Sequence, residues 1–364
     1  MEEALPLNAR QRSAFRGRLL AWYAQHARDL PWRRSRDPYR VWLSEVMLQQ
    51  TTVAAVKPYF ERFTAAFPRV EDLAAASEAQ VLRMWEGLGY YRRARSLHAA
   101  AKMIAGELGG EFPRDVPGLL ALPGVGRYTA GAVASIAYDQ RAPILEANTI
   151  RVIARLLGYR EDPLRSAGQK LLWQAAEELL PAKDVARFNQ GMMELGSLVC
   201  TPQQPQCGAC PVAKYCEANR LGLQHEIPAA TRKLAMTDIR EAAVIVRRNG
   251  SVLMRRCAPG ERWEGLWDFP RFAIDAEGPL FVEEELAAKV REQTGVTVKP
   301  GPLAKTLKHG VTRYRITLEC YEATRTGGRV RSTAERPVRW TPVAELAELP
   351  LSVTGRKLAK LVTP

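Results

Sequence analysis

The chain lacks any apolar run approaching the roughly 18 residues that a membrane-spanning helix needs. Its opening stretch MEEALPLNARQRS is polar and acidic and does not read as a targeting segment. No internal repeat and no low-complexity tract interrupts its 364 residues. Cysteine is scarce, six in all, and a chain of this length has core enough to fold without disulfide staples. These absences exclude a membrane partner, a repeat array and a disulfide scaffold, and a cytoplasmic protein is expected. Hydrophobic residues at 46% and charged residues at 25% exclude a disordered chain, and the length allows two or three domains.

Acidic side chains are in deficit: 53 Lys and Arg against 39 Asp and Glu leave a formal charge of +14. A polyanion is the natural partner for such a surface, with phosphate contacts supplying affinity independent of sequence. Charge alone is equally compatible with a merely basic protein.

The few cysteines are concentrated. Cys200, Cys207, Cys210 and Cys216 follow the spacing C-x6-C-x2-C-x5-C. Four thiolates this close can share one metal centre. Zinc usually takes pairs of C-x2-C type, and only one such pair is present. The wide intervals suit a loop wrapped around a cubane iron–sulfur cluster, with zinc as the alternative. Cys257 and Cys320 fall in strand-like segments and read as buried structural thiols.

Hydrophobic periodicity divides the chain near residue 225. Before it, apolar residues recur at helical spacing over 15–23, 41–63, 81–97, 128–137, 150–157 and 171–180. After it the period becomes two, with a hairpin turning at Asn249-Gly250, strand-like segments within 307–321 and 338–340, and a helix over 282–290. Residues 226–236, with Pro228 and basic side chains, read as a linker. Within the helical part, Leu122-Pro123-Gly124-Val125-Gly126-Arg127-Tyr128 places a tight glycine turn before a helix start. Glycines allow close backbone approach, and a helix N-terminus offers N–H groups and a positive dipole end to a phosphate. The same pattern also makes a plain helix–turn–helix corner.

Taken together, that hairpin, the cysteine loop and Leu30-Pro31-Trp32-Arg33 resemble the helix-hairpin-helix DNA glycosylases that carry an iron–sulfur cluster. Residues 42–51 (WLSEVMLQQT), 87–91 (GLGYY), Phe188-Asn189-Gln190 and 265–270 (GLWDFP) resemble one branch, the adenine-specific mismatch glycosylase family (MutY). The resemblance covers nearly the whole chain. It implies a multi-domain fold: an all-α helix-hairpin-helix core with a [4Fe–4S] loop, followed by an α+β Nudix-like domain. The bounds expected are 30–140 for a six-helix domain, 1–29 with 141–225 for a cluster domain, 226–236 for the linker and 237–364 for the Nudix-like domain. It further implies a monomer acting on double-stranded DNA with A·8-oxoguanine or A·G mispairs, nucleoid-associated in a prokaryote, holding one [4Fe–4S] cluster on the four cysteines.

Cleaving an N-glycosidic bond requires an acid for the departing base and a negative charge for the oxocarbenium-like sugar. Glu45 shares its predicted helix face with Val41, Trp42 and Leu48, an apolar setting that raises a carboxyl pKa. The resemblance makes it the acid that protonates adenine at N7. The second carboxylate departs from the family: Glu146-Ala147-Asn148 stands where the family has Asp-Gly-Asn, and one extra methylene displaces the charge by ~1.5 Å. Helix capping is the competing role for Glu146. Tyr128 sits where bifunctional relatives carry a Schiff-base lysine, so lyase chemistry is not expected. Tyr128 and Asn148 resemble the pair that positions sugar and water. Arg33, Gln190 and Trp32 resemble the adenine lining. Gln50, Tyr90 and Leu88 resemble the residues that enter the stack, and Gly124, Val125, Gly126 and Arg127 the phosphate-binding hairpin.

In the C-terminal part, Gly278 and Glu284 resemble the start of a Nudix box, but Gln293-Thr294-Gly295 replaces the paired glutamates after Arg291-Glu292, so a binding module is expected rather than a hydrolase. Val311-Thr312-Arg313 occupies the place of the family's Phe-Ser-His, which reads 8-oxoguanine. Two other functions compete with adenine removal: thymine or uracil excision by a sister branch that shares an Asp-Ala-Asn stretch, and lesion binding with weak catalysis.

Overall fold

Capping side chains set most helix starts in the first two-thirds of the chain, which is described, in the computed structural model used here, as part of residues 4–229 and 235–363. Asn8 and Gln11 form a capping box for α1 (Ala9–His26), and Asp37 caps α2 (Pro38–Leu48), where proline occupies the first turn. Thr52 caps α3 (Val53–Ala66), and α4 (Val70–Ala75) follows. A Ser77–Gln80 box opens α5 (Glu78–Trp85) before α6 (Arg92–Glu107). Asp115 caps α7 (Val116–Leu120); α8 (Arg127–Tyr138), α9 (Ala147–Leu157), α10 (Ser166–Leu179), α11 (Val185–Leu198) and α12 (Glu217–Leu221) complete the helical part.

Two stretches that read as continuous helices are each two. The run 41–63 breaks where Gln50 adopts φ +56°, and 81–97 breaks at Gly87, Gly89 and Tyr90, all at positive φ. Apolar periodicity continues across both breaks because the residues on either side face one core, and periodicity cannot register a local turn.

Two compact units result: Met1–Ala75 with Ser96–Arg232, and Ala76–Arg95 with Lys233–Pro364. Both helical domains expected from the resemblance therefore lie in the first unit, apart from Ala76–Arg95, which clusters with the C-terminal residues. The expected linker falls partly outside the described residues. In the first unit α8 packs on α2, α7 and α11, and α11 on α1 and α9. One core joins Phe15 and Leu19 of α1, Ile153 of α9, Leu172 of α10 and Phe188 of α11.

The second unit contains a mixed seven-stranded sheet of β1 (Thr237–Arg248), β2 (Ser251–Arg256), β3 (Trp267–Asp268), β4 (Arg271–Ala273), β5 (Val296–Val311), β6 (Tyr314–Gly328) and β7 (Val338–Pro342). The hairpin between β1 and β2 turns at Asn249-Gly250, both at positive φ as a type I′ turn requires. Strand β1 pairs parallel with β6. Its six residues 241–246 are all buried, because α13 (Pro279–Thr294) covers one face through Val282, Leu286 and Val290, and α14 (Val353–Ala359) covers the other through Leu358. The segment 307–321 reverses at Thr312, so it supplies two antiparallel strands.

Candidate active site

Four helices, with α8 packed on α2 and α11 and α11 packed on α9, deliver the side chains of one cavity of about 770 Å³ in the first unit. Glu45 comes from α2, Tyr128 from the first turn of α8, Glu146 and Asn148 from the start of α9, and Gln190, Met193 and Glu194 from α11. Trp32, Arg33, Arg28 and Gln50 also line it. Residues spread over more than 160 positions of sequence thus meet in one place.

Glu45 is 5% exposed and accepts a short hydrogen bond from the Tyr128 hydroxyl. Burial is the main influence on its carboxyl and pushes the pKa up to about 7; the Tyr128 bond opposes this, and the nearby Glu146 charge adds to it. Burial likewise raises the Tyr128 phenol above its usual range, so it stays a protonated donor. Near neutrality the cavity therefore holds a carboxylic acid able to give up its proton.

Glu146 performs the capping role and lines the cavity as well. Its Oε1 accepts from the Thr149 N–H at 2.9 Å and its Oε2 from the Asn148 N–H at 2.9 Å, making it the N-cap of α9. Burial raises its pKa, and the two backbone N–H bonds work against that rise. The Asn148 side-chain amide donates to Glu146 Oε2 at 3.2 Å, while its Oδ1 accepts from Arg151 at 2.8 Å.

The cavity is also lined by an ion cluster whose acid, Glu194, the periodicity did not single out. Glu194, fully buried, accepts from Arg28 at 2.7 and 2.8 Å and from Arg33 at 2.9 Å. Burial pushes this carboxyl up, but the Arg28 and Arg33 bonds prevail and hold it at about 2. Tyr23 donates to Gln190 Oε1 at 2.6 Å, which leaves the Gln190 amide nitrogen as its free donor group. A sequence signal for Glu194 existed: it follows Gln190 by one helical turn, on the same face.

At the hairpin, Gly124 has φ +74°, and a Cβ there would collide with that of Ser96. Gly126 differs, having an ordinary φ of −96° and nothing within 4 Å of an added Cβ. Packing does not call for the second glycine; its effect is to leave the backbone bare. No side chain caps α8, so its first-turn N–H groups are not spent on capping. Val125 departs from its expected role, because its side chain is buried and its N–H already donates to Leu122 O at 3.1 Å. Gly124→Ala should lower thermal stability by about 1–3 kcal/mol, whereas Gly126→Ala should leave the melting temperature unchanged; equal losses would refute this distinction.

Gln50 is exposed at the cavity mouth. Leu88 and Tyr90 belong to the other unit, where Tyr90 is 47% exposed and Leu88 is buried at 6%. The glycine-flanked turn thus turns the leucine inward, contrary to the expectation that it meets DNA. Thr312 and Arg313 form the exposed tip between β5 and β6, and Thr312 holds φ +53°, a costly conformation for a β-branched residue. Arg313 donates to the Tyr314 hydroxyl at 3.0 Å.

The four loop cysteines are half-buried. Burial pushes the Cys210 thiol up to about 12, with the other three adding to the rise, so four neighbouring thiolates are costly without a cation. Among the described residues no three His, Cys, Asp or Glu stand as a ready metal-ion site. The buried Arg155 anchors this loop, donating to Cys200 Sγ at 3.2 Å and to the carbonyls of Thr201 and Pro202. Burial raises the Cys207, Cys210 and Cys216 thiols, and a bound cationic metal centre would offset that cost by favouring their thiolates. Cys257 and Cys320 are buried and belong to the second unit.

Comparison with known proteins agrees with this geometry. Residues 43–178 match the HhH-GPD superfamily of base excision DNA repair proteins, 200–216 the iron-sulfur binding domain of endonuclease III, and 241–361 a NUDIX domain. An adenine DNA glycosylase of Rattus norvegicus is 42% identical over 79% of this chain and 56% of its own length. The Homo sapiens protein of that name is 42% identical over 78% of this chain and 53% of its own length. One from Buchnera aphidicola subsp. Schizaphis graminum is 34% identical over 70% of this chain and 74% of its own length. The chain spans little more than half the length of the mammalian relatives. Among solved structures, a thermostable thymine-DNA glycosylase aligns with TM-score 0.54 and 32% identity over 58% of this chain and 98% of its own. An endonuclease III trapped on DNA shares the fold, at TM-score 0.51 and 24% identity over 60% of this chain and 99% of its own. A 34% identical relative that is covered over 74% of its length, together with the three family matches in chain order, establishes that this chain belongs to the adenine DNA glycosylase family.

Proposed function

We propose that the chain is a monofunctional DNA glycosylase that extrudes adenine paired with 8-oxoguanine or guanine and hydrolyses its N-glycosidic bond. The observation that carries this reading is a buried Glu45, its carboxyl pushed up to about 7 by burial, in the same cavity as the capping Glu146. Glu45 gives its proton to adenine N7, and the C1′–N9 bond breaks with its electrons leaving on the base. The Glu146 charge, held by two N–H groups, stabilises the sugar cation. Water then adds to C1′ and returns a proton to the Glu45 carboxylate. Tyr128 keeps Glu45 oriented and, having no amine, forms no Schiff base. Arg33, Gln190 and Trp32, with Glu194 behind them, supply the flat polar lining that an adenine edge requires.

Gln50, Tyr90 and, at the hairpin, Gly124, Gly126 and Arg127 contact the duplex in this reading, with Thr312 and Arg313 beside the opposite base. Cys200, Cys207, Cys210 and Cys216 would hold one [4Fe–4S] cluster, which would brace the loop. Chemical analysis of the purified chain should find about four iron and about four labile sulfide per chain; zinc without sulfide would refute the cluster.

Single-turnover base release from short duplexes carrying adenine opposite 8-oxoguanine or guanine, beside G·T and G·U controls, tests the function. Adenine release is expected. The 32% identity to a thymine-DNA glycosylase gives the second reading its support, and release of thymine or uracil alone would establish it. Tight binding with no release would leave a lesion-binding protein.

A further inference from the structure

Arg127 opens α8 beside the bare Gly126 and is exposed. Its guanidinium lies 3.8 Å from the centroid of the Trp173 ring on α10, the closest cation–ring approach among the described residues. It makes no hydrogen bond or ion pair with any described residue. Several surface arginines of this unit pair with carboxylates, Arg34 with Asp29, Arg69 with Asp72 and Arg141 with Glu177, while Arg62 rests on the Tyr59 ring at 4.4 Å, farther than Arg127 from Trp173 and away from any helix N-terminus. Arg127 rests instead on a neutral ring, so its charge is not cancelled and its donor fork is not spent.

Its position also works against helix stability. A cation at a helix N-terminus opposes the macrodipole, which favours anions there. An unpaired arginine at that end, fixed by an aromatic ring, is poorly explained as a device for folding α8. It is well explained by an anion that meets both the guanidinium and the uncapped N–H groups. Trp173 can hold the guanidinium because it is itself held: the side chain is half-buried and packs against the core that α1, α9, α10 and α11 share.

We infer that Trp173 is a positioning residue for DNA binding, its ring holding the Arg127 guanidinium at the start of α8 so that one backbone phosphate engages both. The ring removes side-chain freedom that the arginine would otherwise lose on binding. This inference rests on the reading that the hairpin binds the duplex backbone.

The test is a double-mutant cycle on the full chain, measured by fluorescence anisotropy with an intact short duplex over a series of salt concentrations. Arg127→Ala should weaken binding and reduce the slope of log affinity against log salt by about 0.9, the loss of one phosphate contact. Trp173→Ala should weaken binding about threefold to tenfold and keep the slope, since the charge remains. In the Arg127→Ala background it should cost nothing further, and Trp173→Phe should retain most of the affinity. Equal loss from Trp173→Ala in both backgrounds, accompanied by a lower melting temperature, would make the residue merely structural and overturn the inference. Unchanged affinity in Trp173→Ala and Trp173→Phe would overturn it too. If Arg127→Ala alone changes neither affinity nor slope, the hairpin arginine does not contact DNA, and the inference falls with that reading.

Discussion

Glu45→Gln is expected to lower single-turnover adenine release by about 10²–10⁴-fold, the usual contribution of a general acid, and to make the folded protein more stable above pH 7. Both effects have one origin. The folded carboxyl titrates at about 7 against 4.5 when unperturbed, because burial disfavours the anion. Its contribution to folding is fully present below pH 4.5 and is lost as the pH rises through about 7. At pH 8 that loss is on the order of 3 kcal/mol, and a neutral glutamine does not incur it. Thermal melts should therefore separate wild type and variant at pH 8 and bring them together near pH 4.5. The wild-type rate of base release should fall as the pH rises past 7, when Glu45 ionises. Tyr128→Phe removes the bond that restrains the pKa and should move this fall to higher pH. A variant no more stable than wild type at pH 8 would mean that Glu45 ionises in the folded protein at no cost, is therefore already a carboxylate at neutral pH, and cannot be the acid.

Glu146→Gln should cost about 10²–10³-fold in rate with a smaller effect on stability. Glutamine retains one oxygen to accept a backbone N–H, so part of the α9 cap survives, but the negative charge is lost. Glu146→Asp makes the sharper test. Both Glu146 oxygens already engage α9, at 2.9 Å from the Asn148 and Thr149 N–H groups. Shortening the side chain by ~1.5 Å pulls the carboxylate from at least one of them, and displacement on that scale costs about 10²-fold in rate. We expect aspartate to slow this protein rather than to restore it. An aspartate variant as fast as wild type would show that the charge, not its placement, is what matters. A glutamine variant of full activity would reduce Glu146 to a helix cap.

Much of the architecture was legible in the sequence, for local reasons. Asn249-Gly250 specifies its turn because few residues accept positive φ. The cysteine spacing marks a metal loop because so few other thiols exist. Glu45 could be singled out because its helix face is apolar. Other features escaped for equally physical reasons. The breaks at Gln50 and at Gly87–Tyr90 lie inside unbroken apolar patterns. Leu88 reads like an exposed neighbour of Tyr90, yet the turn, with Gly87, Gly89 and Tyr90 all at positive φ, leaves Leu88 buried and Tyr90 exposed. Glu194 looks like any surface acid until Arg28 and Arg33, more than 160 positions earlier, are brought against it.

By itself, then, the sequence determined the change from helical to strand periodicity, the Asn249-Gly250 turn, the cysteine loop and which acid sits in apolar company, since these depend on neighbours within a few residues. Only the tertiary structure decided that Glu146 caps a helix and lines the cavity at once, that Val125 turns inward, and that Arg127 rests on Trp173. Those are meetings between side chains far apart along the chain, and packing, unlike periodicity, depends on what arrives from elsewhere.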